Sequence, residues 1–323
     1  MAVPFIGFAV VAAIFGTCGI VLNTTVCLVY YLRPQLLDAS NVFILNISAG
    51  DFLYSITALP MLVTSNARGK WSFGESGCIA YGFLTTFFAL GSMMNLAGAA
   101  YERYVTMCKL YENGQSQFGR KKAVFISAIL WIYSFVWSIA PVLGWSNYKE
   151  EGVGTSCSTD WKSRDLSDLT YGIALIIACF VLPGAVIVHC YRNAYKVTRK
   201  LGEQARKNWG NTSRVTQETL IAEKKMVKIA IVVTVGYVIA WTPYTVSSMI
   251  GMYNPDLVSD VGASIPAYFG KSSACYNPFI YIFMYKKLRS GMFRILRCRR
   301  KNQVQPGISG RETVHRTPTN FAL

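Results

Sequence analysis

Apolar residues in this chain fall in long unbroken runs. They do not follow the alternating or every-third-and-fourth spacing that marks half-buried strands and amphipathic helices. Seven such runs lie near residues 4–31, 41–64, 79–108, 123–145, 169–192, 226–252 and 262–285. A helix of about 20 apolar residues crosses the hydrocarbon layer of a bilayer. Lipid offers no partner for backbone N–H and C=O groups, so each run must be a helix that satisfies its own. The pattern predicts an all-α membrane protein, a seven-transmembrane helix bundle over residues 1–285. Between Lys286 and Arg300, Leu288, Met292, Phe293, Ile295 and Leu296 are interleaved with Lys and Arg. That interleaving predicts a short amphipathic cytoplasmic helix on the membrane surface, with Cys298 at its end as a palmitoylation site. Residues 301–323 carry Pro, Gly, Ser and Thr and predict a flexible cytoplasmic tail. The polar connection 196–225 is expected to extend the fifth and sixth helices into water.

Composition agrees with lipid as the solvent. Of the 323 residues, 52% are hydrophobic and 15% charged, where soluble domains carry about 25% charged residues. Five basic residues (Arg68, Lys70, Lys149, Lys162 and Arg164) lie on the side of loops 65–77, 146–168 and 253–261, against 26 on the other side. The positive-inside rule makes the richer side cytoplasmic and the N-terminus extracellular, in a multi-pass protein of the cell membrane. The net charge of +16 then reflects topology and attraction to anionic membrane lipid, with no nucleic acid implied. Nine cysteines do not make a closed disulfide framework, and most sit inside spans as small apolar residues. Cys78 and Cys157 lie on the oxidising outer side, where a bridge would pin the second outer loop across the mouth of the bundle. No phosphate-cradling glycine loop or metal-binding cluster stands out.

Ionisable groups within membrane spans are functional by default. Glu102-Arg103-Tyr104 closes the third span, and a Glu–Arg pair there can hold Arg103 inward in one state and free it in another. Glu223, at the inner start of the sixth span, is the candidate partner across the bundle; the alternative is a plain interfacial ion pair. Asn277-Pro278-Phe279-Ile280-Tyr281 ends the seventh span, where Pro278 permits a kink and Asn277 can bond to Asp51 in the second span. Pro183 and Pro243 add kinks to the fifth and sixth spans, with Trp241 beside the second. Lys271 lies six residues before Asn277, under two helical turns away and about mid-membrane. A lone buried ammonium is expensive, and a snorkelling lysine belongs near a helix end. An amine so placed can condense with an aldehyde to a Schiff base; the alternative is a salt bridge to a neighbouring helix.

Asn23, Asp51, Glu102-Arg103-Tyr104, Trp131, Pro183, Trp241-Thr242-Pro243, Asn277 to Tyr281 and the Cys78–Cys157 pair occupy their expected spans in order. Over residues 1–300 the chain resembles the rhodopsin-like class of G-protein-coupled receptors. The resemblance implies a sixth helix that swings outward and admits a heterotrimeric G protein, with Tyr191 part of that switch and arrestin and a receptor kinase as further partners. Lys271 within Phe269-Gly270-Lys271-Ser272-Ser273, and Gly144-Trp145-Ser146-Asn147-Tyr148, are similar to the opsins, in which this lysine holds retinal, 11-cis in the dark and all-trans after light. By the same resemblance Trp241 and Tyr244 flank the retinal ring, with Ala89, Ala267, Phe87, Phe88 and Phe269 as further candidate walls. The position three residues after Cys78, a glutamate in vertebrate visual pigments, is Tyr81 here. Glu151, six residues before Cys157, matches the loop glutamate that many opsins use as counterion instead, with Tyr81 hydrogen-bonded in the network and Glu150 solvated. The second loop looks similar to non-visual opsins of the encephalopsin and neuropsin neighbourhood. Two alternatives remain open, a retinal photoisomerase and a receptor for a diffusible ligand. The intact switch motifs make a receptor, not an enzyme, the expectation.

Overall fold

A computed structural model describes residues 5–113, 118–209, 213–284 and 288–291. Among these residues the chain forms a seven-helix bundle. The first four helices are Phe5–Leu32, Ala39–Arg68, Gly74–Asn113 and Arg120–Ile139. The fifth runs Leu166–Ile176, passes through a π-helical turn at Ile177–Val181 and continues as Leu182–Trp209. The sixth is Arg214–Tyr253, and the seventh comes in two pieces, Asp260–Lys271 and Ser273–Met284. The first five are long and apolar enough to cross a membrane by length and composition alone.

Local chemistry sets the boundaries. The Asp38 carboxylate accepts from Asn41 N–H at 2.9 Å and caps the second helix, which ends at Gly69 in the left-handed region, φ 68°. The fourth helix stops at Ile139, short of the expected 145, because Pro141 cannot continue it. In the fifth helix Pro183 lacks the N–H that would reach Cys179 four residues back. The chain widens there, and Leu182 N–H donates to Ile177 O, five residues back. Tyr133 of the fourth helix donates to the Ala178 carbonyl at 3.1 Å and satisfies the widened turn. The seventh helix breaks directly after Lys271, where Ser272 N–H bonds back to Tyr268 O and Phe269 O, both at 3.2 Å. As expected, the fifth and sixth helices run well past their apolar stretches.

The second outer loop is a β-hairpin that the sequence did not foretell. Strand β1 (Tyr148–Glu151) pairs antiparallel with β2 (Ser156–Thr159), setting Glu151 opposite Ser156. Gly152 and Gly154 turn the chain at φ 60° and 74°, conformations that glycine alone adopts freely. A Cys78–Cys157 disulfide ties β2 to the third helix. Thr155 donates to Asn66 Oδ1 of the second helix at 3.0 Å, and Val153 N–H donates to Ser264 Oγ of the seventh at 3.1 Å. At the hairpin's edge Lys149 lies 2.9 Å from the Asp160 carboxylate, which raises the lysine's affinity for its proton.

The core lies on the inward faces, with Phe43, Ile47, Leu59, Leu62 and Met93 fully buried. Ile6, Ile132, Leu182 and Val188 face outward, as a lipid-facing belt requires. Beyond Met284 only Leu288–Gly291 are described, helical, with Leu288 buried. The rest of segment 286–300 with Cys298, the tail 301–323, and the side chains of Glu223 and Tyr281 lie outside the described residues.

Candidate functional site

Beneath the hairpin, between the third, fifth, sixth and seventh helices, lies a cavity holding about 890 Å³ of empty space. Lys271, Glu151, Trp241, Tyr244, Ala89 and Ala267 all face it. Sequence reasoning had named these six together. The seventh residue of that group behaves differently. Tyr81 is wholly buried and does not line the cavity, and its hydroxyl has no hydrogen-bond partner among the described residues. Its ring packs edge-on against Trp71, centroids 5.3 Å apart.

Lys271 is 5% exposed and makes no ion pair among the described residues. Its Nζ lies 5.7 Å from the centroid of the Tyr268 ring. Among the described residues Glu151 is the acidic group whose charge acts on it. Glu151 is half-buried where Glu150 beside it is exposed, because the two point to opposite faces of β1.

On the sixth helix, Trp241 and Tyr244 stand edge to face at 6.0 Å. Gly270 makes room for the indole: a Cβ there would sit 3.1 Å from Trp241 Cε3. Tyr244 Oη accepts from Trp161 Nε1 at 2.9 Å. Trp161 and Glu151 also face an outer cavity of about 630 Å³ bordered by Asp160, Lys162 and Asp260, so they form part of the partition between the two spaces.

Three aromatic wall candidates fall elsewhere. Phe269, two residues before Lys271, is about 200° around the helix from it and is 51% exposed on the outer face. Phe87 tilts against Trp131 of the fourth helix at 5.1 Å. Phe88 faces only a smaller cavity of about 290 Å³ that runs from Lys271 toward Asp51. At its far end Asp51 accepts from Ser92 at 3.0 Å and from Asn277 at 3.2 Å, the contact the sequence suggested.

At the cytoplasmic end Glu102 is 3% exposed, accepts from Thr106 at 2.8 Å and lies 3.5 Å from Arg103 Nε. Tyr104 meets His189 of the fifth helix edge-on at 6.1 Å, and Tyr191 is buried one residue beyond Cys190. Pro278 is buried in the seventh helix.

Sequence reasoning missed Trp161 on the cavity wall, along with Thr85, Met93 and Phe180, and missed the chain of contacts Thr155–Asn66–Tyr268 beside Lys271. For Tyr268 a signal existed, since three residues' spacing puts it on the face of Lys271. Trp161 and the Thr155–Asn66 contact depend on the hairpin's fold and had none.

The 7 transmembrane receptor (rhodopsin family) model matches residues 22–281. Opsin-VA of Rutilus rutilus is 35% identical over 278 residues, 86% of this chain and 70% of its own. Melanopsin-B of Xenopus laevis is 32% identical over 95% of this chain, which spans 60% of that protein's length. Pinopsin of Gallus gallus is 31% identical over 95% of this chain and 86% of its own. The crystal structure of squid rhodopsin superposes with a TM-score of 0.83 at 28% identity, covering 92% of this chain and 87% of that one. A non-visual neighbourhood fits these relatives. The chain belongs to the rhodopsin family of seven-transmembrane receptors and, within it, to the opsins, the light-sensing G-protein-coupled receptors.

Proposed function

We propose that this opsin carries retinal covalently on Lys271 and passes light activation to a heterotrimeric G protein at its cytoplasmic face. The observation that carries the proposal is a buried amine without an ion-pair partner among the described residues, opening into an apolar-walled cavity. Lys271 would hold retinal through its amine, as an imine formed with the aldehyde and loss of water. Bound in this way, retinal supplies visible absorption and light-driven isomerisation from 11-cis to all-trans.

The chain's own residues do the rest. Glu151, held on β1 by the hairpin's pairing, balances the charge on a protonated Lys271 nitrogen, as low dielectric demands. Trp241, packed on Gly270 of the seventh helix, takes up a change of shape in the cavity and transmits it to the sixth helix at Pro243. Below, Asn277, Asp51 and Ser92 couple the seventh helix to the second and third. Release of Arg103 from Glu102 frees it to meet the G protein, with the N-terminus outside the cell and the basic loops inside. Arrestin and a receptor kinase act on the same face.

The test is reconstitution of the purified protein with 11-cis retinal. A visible band is expected for the parent and none for Lys271→Ala. Absorption that survives the substitution would sink the attachment. Light-dependent nucleotide exchange on a G protein is expected in the parent. Isomerisation without any exchange would leave a photoisomerase.

A further inference from the structure

The Lys271 nitrogen has an aromatic neighbour. Nζ lies over the Tyr268 ring, 5.7 Å from its centroid and within the reach of a cation–π contact. The ring is not free to turn away. Its other face stacks on Phe8 of the first helix, centroids 4.8 Å apart at 25°. Its hydroxyl accepts from Asn66 Nδ2 at 2.5 Å, and Asn66 Oδ1 in turn accepts from Thr155 of the hairpin at 3.0 Å. Below, the Tyr268 carbonyl accepts from Ser272 N–H at the break that ends this piece of the helix. Four elements thus fix one aromatic plane over one amine.

Among the described residues, the ionisable groups that share a cavity with Lys271 are Asp51 and Tyr54 on the second helix, Cys179 on the fifth, Tyr244 on the sixth and Glu151 on β1. Asp51 is engaged by Ser92 and Asn277, and Glu151 stands outside ion-pairing distance. Among the described residues the nitrogen therefore has no carboxylate within ion-pairing distance and has a desolvated π face beside it.

We propose that Tyr268 is a positioning residue for the Lys271 nitrogen, its ring face helping to keep the proton on the attached chromophore's nitrogen. This rests on attachment of retinal at Lys271. Desolvated cation–π contacts are strong enough to move a protonation equilibrium by about one pH unit or more. The ring favours the charged form, so its loss lowers the pH midpoint. The visible-absorbing form then gives way to the ultraviolet form at lower pH than in the parent.

The experiment titrates the pigment spectroscopically in full-length protein reconstituted with 11-cis retinal. Tyr268→Leu is expected to form pigment with its midpoint lowered by about one unit, and Tyr268→Phe to keep most of the parent value. A Tyr268→Leu midpoint equal to the parent's would overturn the proposal. Where the leucine variant fails to fold, phenylalanines bearing one, two and three fluorines at position 268 preserve volume while draining the ring face. The midpoint is expected to fall stepwise with fluorine count, and a flat series overturns the proposal. Failure of the attachment is read separately, as a visible band that persists in Lys271→Ala.

Discussion

Glu151→Gln removes the negative charge proposed to balance Lys271 while keeping the side chain's size and its place on β1. The two groups share the cavity but form no ion pair, so their separation exceeds 4.0 Å. At an effective dielectric of about 20, unit charges attract by about 4 kcal/mol at ~4 Å and about 2 kcal/mol at ~8 Å. Glu151 is only half-buried and also faces the outer cavity, so solvent screening favours the lower figure. About 2 kcal/mol corresponds to about 1.5 pH units. The sign is fixed by the charge: an anion stabilises the protonated nitrogen, so removing it lowers the midpoint. The assay is absorbance of the dark pigment against pH, with the visible band replaced by an ultraviolet one as the proton leaves. Glu150→Gln is the control, since that carboxylate is exposed on the opposite face of the strand and is expected to shift the midpoint by less than about 0.5 unit. Identical titrations for Glu151→Gln and the parent would refute the counterion assignment, and equal shifts for both glutamates would refute the argument from strand alternation.

Trp161→Leu removes the 2.9 Å bond to Tyr244 and part of the partition between the two cavities. Dark bleaching by hydroxylamine should accelerate by about tenfold, the equivalent of one net hydrogen bond of about 1.4 kcal/mol; an unchanged rate would show that water and small nucleophiles enter elsewhere. Cys157→Ser opens a link between residues 79 positions apart, for which about 2–5 kcal/mol of stability is expected to be lost. Thermal denaturation in detergent measures it, and an unaltered midpoint temperature counts against the bridge as a structural tie. Gly270→Ala drives a methyl to 3.1 Å from Trp241 Cε3, so overpacking should cost about 1–3 kcal/mol. Trp241→Phe in the same background should recover most of that loss, and no recovery would place the strain elsewhere. Asp51→Asn leaves one acceptor oxygen where Ser92 and Asn277 now use two. Light-driven nucleotide exchange should change with the dark spectrum unmoved; a shifted spectrum would mean that Asp51 acts on the chromophore directly.

The bundle was legible because its cause is local: runs of apolar residues must be helices in lipid, and seven of them leave few arrangements. Lys271 was legible because an amine in such a run has no cheap structural explanation. Trp241, Tyr244, Ala89 and Ala267 came through the resemblance to the opsins, carried over position by position. The hairpin was not legible. Its strands are four residues each, too short for alternation to register, and glycine at 152 and 154 reads equally as loose loop. Glu151 apart, what the hairpin holds in place was lost with it: Trp161 by Tyr244, Thr155 on Asn66, and through Asn66 the fixed plane of Tyr268. Phe269 and Phe87 were misplaced because an aromatic in an apolar run gives no hint of which side faces lipid. Helical phase from Lys271 would have excluded Phe269.

The distribution of rigidity along the bundle axis bears on how a pocket event reaches the cytoplasm. The outer half is cross-tied. The disulfide, Val153 on Ser264 and Thr155 on Asn66 join the hairpin to three helices. Just below Lys271 the ladder is interrupted on three helices. The fifth has its π turn at Ile177–Val181, the sixth has Pro243, and the seventh breaks at Ser272 with Pro278 a turn and a half on. A strain generated at Lys271 and Trp241 meets fixed contacts above and irregular helix below, so the cheaper relief is movement of the inner segments. The contacts that must yield there are few and polar: Asn277 on Asp51, and Glu102 on Arg103 with Thr106. Two of these are hydrogen bonds to carboxyl oxygens and the third is an ion pair at 3.5 Å between chain neighbours, so the inner latch is made of a few local polar contacts that a movement of the inner segments must break.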